Sequence, residues 1–352
     1  VNFPVWELPM GGGVLIAMVS ILHVFVSHFA IGGGLWLVIT EMRAYRTGDT
    51  ELRDFVKRHS RFFMLLTLVF GAISGVGIWV TIALVSPQAV SALIHGYVWG
   101  WAMEWVAFFV EIAAAIVYYY GWERLDRKTH LAVGWIYFIA AWLSMIIING
   151  IITFMLTPGG WLENHDFWTG FFNPTYWPSL AVRTFGALAI AGMFTLLTAA
   201  GLGRSPFRWR VTRWNAGWAI VPVVGVMLCA GWYRSQIGVW DENEALLGAI
   251  PVLPRVAGFF KVGLIATFLV ALAPLILPRG WTRFSAAVLL IVGLGTMGAG
   301  EWLREAGRKP YTIDGYLYST GMRVDQQDWY AENGMAAGTL WISRAAADDP
   351  VR

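Results

Sequence analysis

The chain has 352 residues, 57% of them hydrophobic and only 13% charged, with a mean hydropathy of +0.59, a balance that excludes an ordinary soluble domain and reads as a polytopic membrane protein. Its formal net charge of +3 comes from Lys and Arg grouped in a few loops, where membrane topology accounts for them and nucleic-acid binding is not indicated. The single cysteine, Cys229, sits in an apolar run; a disulfide framework, a thiolate zinc site and a CxxCH attachment are excluded, so any c-type heme belongs to another chain.

A hydrocarbon core about 30 Å thick needs roughly 20 apolar residues per helix, and about eight such runs follow one another. The amino-terminal Val-Asn-Phe-Pro lacks the basic stretch of a cleaved signal, so the first run is expected to be a true span. Span one covers about Gly12 to Glu41 and carries His23, His28 and the Gly32-Gly33-Gly34 run. The histidines are five residues apart and fall on different helix faces, so they are not expected to bind one metal together. Arg43, Arg46, Arg53, Lys57, Arg58 and Arg61 form the next loop, cytoplasmic by the positive-inside rule, which puts the amino terminus outside.

Span two, about Phe62 to Val85, contains Gly71-xxx-Gly75, read as helix packing. A neutral outer loop at Ser86-Pro87 leads to span three, about His95 to Tyr120. There Glu104 and Glu111 lie seven residues apart in an otherwise apolar run, on nearly one stripe and roughly 10 Å apart along the axis. Acids at this depth are costly, face a bundle interior, and mark an ion pathway, a relay or a cofactor ligand. The Glu123 to Lys128 charge run returns the chain to the basic side, and span four, about Leu131 to Leu156, includes Asn149.

The loop 159 to 178 is rich in Trp, Phe, Pro and Asn, as in an interfacial aromatic belt. Span five, about Ser179 to Leu202, begins with Arg183, and Arg204, Arg208, Arg210 and Arg213 follow it. Span six runs from about Trp214 to Tyr233, and its outer loop, 234 to 254, carries Asp241, Glu242 and Glu244. Span seven, about Val256 to Leu277, contains Lys261; span eight, about Ser285 to Leu303, leads to Glu305 and Arg308. Basic loops alternate with neutral or acidic ones, which predicts an all-α bundle with both termini outside: residues 1–303 as the membrane bundle, and 304–352 as an outer tail lying on it or on a partner chain.

On this topology His23, Glu104 and Glu305 share one depth range as potential axial ligands of heme iron, and Arg308 could meet propionates. Several stretches carry a resemblance to a known family. They are Leu22-His23-Val-Phe-Val with Gly32 and Glu41, Gly71-xxx-Gly75, Glu104 through Ala107-Phe-Phe-Val-Glu111, Gly121-Trp-Glu-Arg-Leu125, Asn149-Gly150, and Glu305-Ala-Gly-Arg-Lys-Pro310. Together they resemble subunit I of the cytochrome bd quinol oxidases over nearly the whole chain, the last being similar to the family's E-x-G-R-Q-P signature.

The resemblance implies a multi-pass heme subunit of the bacterial inner membrane, working with companion membrane subunits. It implies two hemes, of type b and/or d, in an oxygen-reducing pair with iron ligands His23 and Glu305. It also implies Glu104 near iron, Glu111 and Asn149 on a proton route, and Arg308 at the propionates. Glu104 and Glu111 are one residue closer than in the usual family pattern. The family's low-spin heme uses a histidine early in span five and a methionine in span seven, whereas here Ala181-Val-Arg183-Thr and Phe260-Lys261-Val-Gly263 stand there. Arginine stays protonated and does not ligate iron; Lys261 could do so only if desolvation removed its proton, and His28 is a further nitrogen donor. With a shortened quinol loop and no ninth span, the expected donor is a c-type cytochrome or a partner subunit, and the acceptor oxygen or nitric oxide. The alternative is a non-catalytic membrane anchor or electron-relay subunit; a transporter is disfavoured because inverted repeats are not evident.

Overall fold

The structure is a computed structural model that describes residues 6, 12–237, 252–307, 311–318 and 322–334. Eight of its helices are long and apolar enough to cross a membrane: α1 (Gly12–Thr47), α2 (Thr50–Val85), α4 (Val98–Gly121), α5 (Arg127–Phe154), α8 (Tyr176–Ala200), α9 (Pro206–Ser235), α10 (Val252–Ile276) and α11 (Arg283–Gly307). Shorter helices α3 (Pro87–Gly96), α6 (Trp161–Asn164), α7 (Phe167–Phe171) and α12 (Gln327–Asn333) sit between and after them. The protein is thus an all-α polytopic bundle, and the one sheet among the described residues is the antiparallel hairpin β1 (Tyr311–Ile313) to β2 (Leu317–Tyr318).

The basic stretch after α1 is helix, not loop. Gly48, with φ of 65°, turns the chain, and the Asp49 side chain caps α2 by accepting from the Leu52 amide at 2.9 Å. Leu52, Phe55, Val56, His59 and Phe63 then form a buried stripe, while Arg53, Arg58 and Arg61 point outward. Charges confined to one face do not break a helix, so α2 begins twelve residues before its apolar run. Likewise Arg208, Arg210 and Arg213 lie in the first turns of α9, after the Ser205 cap.

Helix α1 is the hub, packed against α2, α5, α8 and α11. A Cβ on Gly32 would lie 2.0 Å from the Ala187 carbonyl oxygen, so the α1 and α8 backbones meet there and only hydrogen fits. Trp36 Nε1 donates to Asn215 Oδ1 at 3.0 Å, tying α1 to α9 within the core. A π-helical turn at Leu65–Phe70 interrupts α2 one turn before Ser74. Beyond α5, Trp161, Phe167, Trp168, Phe171, Phe172, Tyr176 and Trp177 stack into an aromatic layer. The hairpin docks against this layer: Asp314 N donates to Met155 O at 3.0 Å, Tyr316 packs edge-on against Trp161, and Ile313 and Leu317 are buried.

Candidate functional site

On one flank α1 presents His23 to α2. Ser74 Oγ donates to Phe70 O at 2.6 Å, so its proton is spent on the helix backbone and the oxygen is left to accept from His23 Nδ1 at 3.0 Å. By this pattern Nδ1 carries the ring proton, and Nε2 keeps its lone pair. A Cβ on Gly75 would sit 3.3 Å from His23 Cε1; the glycine makes room for the ring. The Gly71-xxx-Gly75 stretch therefore seats the His23 ring as well as packing helices.

The two acids of α4 both turn toward α5. Ser144 Oγ donates to Glu104 Oε1 at 2.9 Å, and the Tyr137 hydroxyl lies 3.2 Å from Glu111 Oε1 and 3.1 Å from Ala30 O on α1. Ser144 and Tyr137 are themselves seven residues apart, so the acids and their partners form two rungs between antiparallel helices. Trp105, Val106 and Phe109 on the same helix are exposed, as expected for a lipid-facing side. Among the described residues no hydrogen bond joins His23 to Glu104. Asn149 is fully buried with both its amide nitrogen and its oxygen engaged, donating to Tyr176 O at 2.9 Å and accepting from Ser179 Oγ at 2.8 Å, so that it clamps α5 to α8.

The opposite flank of α1 holds a charged cluster whose members lie far apart in sequence, at the start of span five and at the end of span eight. Arg183 of α8 is paired with Glu301 of α11 at 3.2 Å; Arg304 Nε donates to Glu301 Oε2 at 3.1 Å and its guanidinium also bonds Glu305. The span-five stretch where the family places a histidine thus carries a buried ion pair. His28 lies beside it, its Nδ1 donating to Val24 O at 2.9 Å. Lys261 lies on the exposed face of α10, and Arg308 falls outside the described residues. His23, Glu104 and Glu305 are not gathered into one cluster, and among the described residues no three His, Cys, Asp or Glu side chains converge on a naked ion. Heme needs only one or two protein ligands, and the free Nε2 lone pair of His23 fits that requirement.

Nearer the basic end, Glu41 is wholly buried, accepts from the Tyr118 hydroxyl at 2.7 Å and is hydrogen-bonded to His130 Nδ1 at 2.7 Å. His130 Nε2 faces Tyr118 O at 2.9 Å. A carbonyl only accepts, so Nε2 carries a proton, and Nδ1 and Glu41 form a buried hydrogen-bonded acid-imidazole pair. Glu41 was visible in the sequence as a motif residue; its partner His130 carried no signal beyond being a histidine next to a charged loop.

Residues 14–237 match the family described as cytochrome bd terminal oxidase subunit I. A Bacillus subtilis (strain 168) protein, named as a candidate cytochrome bd menaquinol oxidase subunit I, is 23% identical over 163 residues, which are 44% of this chain and 36% of that relative. The match thus spans about a third of that relative's length. The bd oxidase structure from Geobacillus thermodenitrificans superposes with a TM-score of 0.74 at 16% identity, covering 96% of this chain and 95% of that one, so the two share a fold. With the family model matched over well over half of its length, this helical bundle belongs to the cytochrome bd terminal oxidase subunit I family.

Proposed function

We propose that the chain reduces oxygen, or nitric oxide, at a pair of hemes of type b and/or d in the cytoplasmic membrane of a bacterium, with His23 and Glu305 as iron ligands. The observation that carries this reading is the state of His23: Ser74 occupies Nδ1, and Nε2 remains as an oriented nitrogen donor. A heme held there supplies iron on which the acceptor takes up electrons. Glu104, bonded to Ser144 on the same bundle, and Glu111, bonded to Tyr137, supply acidic groups for protons, the latter linked by the tyrosine to α1. Asn149 holds α5 and α8 in register beside that route, and Arg308 would pair with propionates.

The donor is proposed to be a c-type cytochrome or companion subunit. Arg183, engaged with Glu301, offers no ligand where the family's low-spin heme has its histidine. The Bacillus relative's name specifies menaquinol, so the two donors are alternatives for one assay. In the purified complex, reduced cytochrome c is expected to support oxygen uptake and menaquinol analogues are not. His23→Ala is expected to remove one heme's absorbance and rapid carbon monoxide binding to the reduced protein, with the bundle still folded by circular dichroism. An unchanged spectrum and unchanged carbon monoxide binding in that variant would sink the reading. The second reading, an electron-relay or anchor subunit, draws on Glu305 being engaged by Arg304, and predicts heme that does not bind carbon monoxide at all.

A further inference from the structure

Helix α1 carries two histidines that face different neighbours: His23 meets Ser74 of α2, whereas His28 lies against α8 and within electrostatic reach of Arg183 and Glu301. Five helical residues amount to about 140° of rotation beyond one full turn, so α1 stands as a partition between two compartments. We propose that His28 Nε2 is an iron ligand to the heme on the α8 and α11 side, across from Glu305, and that α1 separates this heme from the one bound by His23. The proposal rests on the two-heme reading above and adds a ligand to it.

Three features of the site support it. First, His28 is buried, and its Nδ1–H is committed to the Val24 carbonyl, so Nε2 is a lone-pair nitrogen; it has no hydrogen-bond partner. An acceptor sealed from water without a donor carries a desolvation cost, which a bond to iron removes. Second, the ring's Cδ2, adjacent to Nε2, points at Gly186 on α8: it is the only atom within 4 Å, outside that helix's own backbone, of where a Cβ on Gly186 would be, at 3.9 Å. The bare glycine keeps any side chain of α8 away from this edge of the ring. Third, the same cluster contains unpartnered buried donors, namely Arg183 Nε, Arg304 Nη1 and the Tyr233 hydroxyl. Donors of this kind match the carboxylates of a porphyrin.

His59 is the control within the same molecule. Its Nε2 is also buried without a partner, but Phe29, Trp36, Phe55 and Phe62 surround its ring with centroids 4.8 to 6.3 Å away. That aromatic cage is closed to a macrocycle and holds no spare cationic donor, so the orphaned nitrogen alone does not single out His28; the glycine face and the arginines do.

The test uses the intact purified complex. In wild type labelled with 15N-histidine, pulsed EPR of the ferric enzyme is expected to show imidazole 15N coupling on both hemes, and coupling on only one overturns the proposal without requiring any variant to fold. In His28→Gly, the pyridine hemochrome content is expected to fall by half, or the second heme's low-spin signal to be lost, with added imidazole restoring it. Gly186→Leu should reproduce the loss without imidazole rescue. Wild-type heme content and EPR in His28→Gly, as a buried water at Nε2 would give, reject the His28 ligand while leaving His23 intact. A complex with no heme rejects the underlying two-heme reading instead.

Discussion

A single hydroxyl decides what His23 can do. Ser74 accepts the Nδ1 proton because its own proton is held by Phe70 O, and this fixes both the tautomer and the ring plane. Loss of that oxygen leaves a half-buried N–H without an acceptor, at a cost of about 1 kcal/mol, and frees the ring to turn. Ser74→Ala is therefore expected to lose heme to an apomyoglobin scavenger roughly 10-fold faster than wild type, in line with typical effects of outer-shell partners on ligand sites, whereas Ser74→Thr should hold it. Equal loss rates in Ser74→Ala and wild type would show that the serine does not orient the ligand. The sequence made His23, Glu104 and Glu111 visible because ionisable groups in apolar runs are costly. Gly75 was visible only as a packing glycine and Ser74 not at all, because small residues in a span are as readily explained by packing, and the contact that gives them meaning joins different helices.

At the scale of elements, the eight apolar runs were legible from hydropathy, but their ends were not. Apolar run length measures the lipid-crossing portion, whereas α2 and α9 start earlier, where Asp49 and Ser205 cap turns whose arginines face outward, except Arg208, which is buried against the Leu202 and Trp281 carbonyls. The ion pair of Arg183 with Glu301 was illegible for a different reason: each residue sits at the border of a span, where a solvated charge is the default, and only the packing of α8 against α11 buries them together. The Glu41, Tyr118 and His130 unit ties α1 to α4 and α5 in the same manner. Removing one member leaves the other buried without its partner, and such single deletions cost about 3–5 kcal/mol. His130→Ala is expected to lower the denaturation midpoint of the detergent-solubilised protein accordingly. The pair Glu41→Gln with His130→Gln should recover much of that loss, because two neutral amides leave no uncompensated charge. A His130→Ala variant as stable as wild type would mean that the unit is not a structural clamp.

For the whole molecule, chemistry depends on which end of the bundle faces which compartment, and the two ends differ in kind. One collects Arg46, Arg53, Lys57, Arg58, Arg61, Arg124, Arg204 and Arg210; the other collects the aromatic layer and, through the Asp314 to Met155 bond, the described part of the tail. Positive charge retained on the cytoplasmic side predicts that the aromatic end is periplasmic. With Cys229→Ala as background, Glu163→Cys and Glu332→Cys, both on exposed positions at the aromatic end, are expected to react with a membrane-impermeant maleimide in intact spheroplasts. Arg204→Cys, exposed at the basic end, should react only in inverted vesicles. Glu104 stands nearer the aromatic end of α4 than Glu111 does, since the helix starts there at Val98, so this orientation places Glu111 on the cytoplasmic side of Glu104. Protons drawn from the cytoplasm would then meet the Glu111–Tyr137 rung before the Glu104–Ser144 rung. The reverse labelling pattern would invert that order and exclude Glu111 as the first acid on a cytoplasmic route.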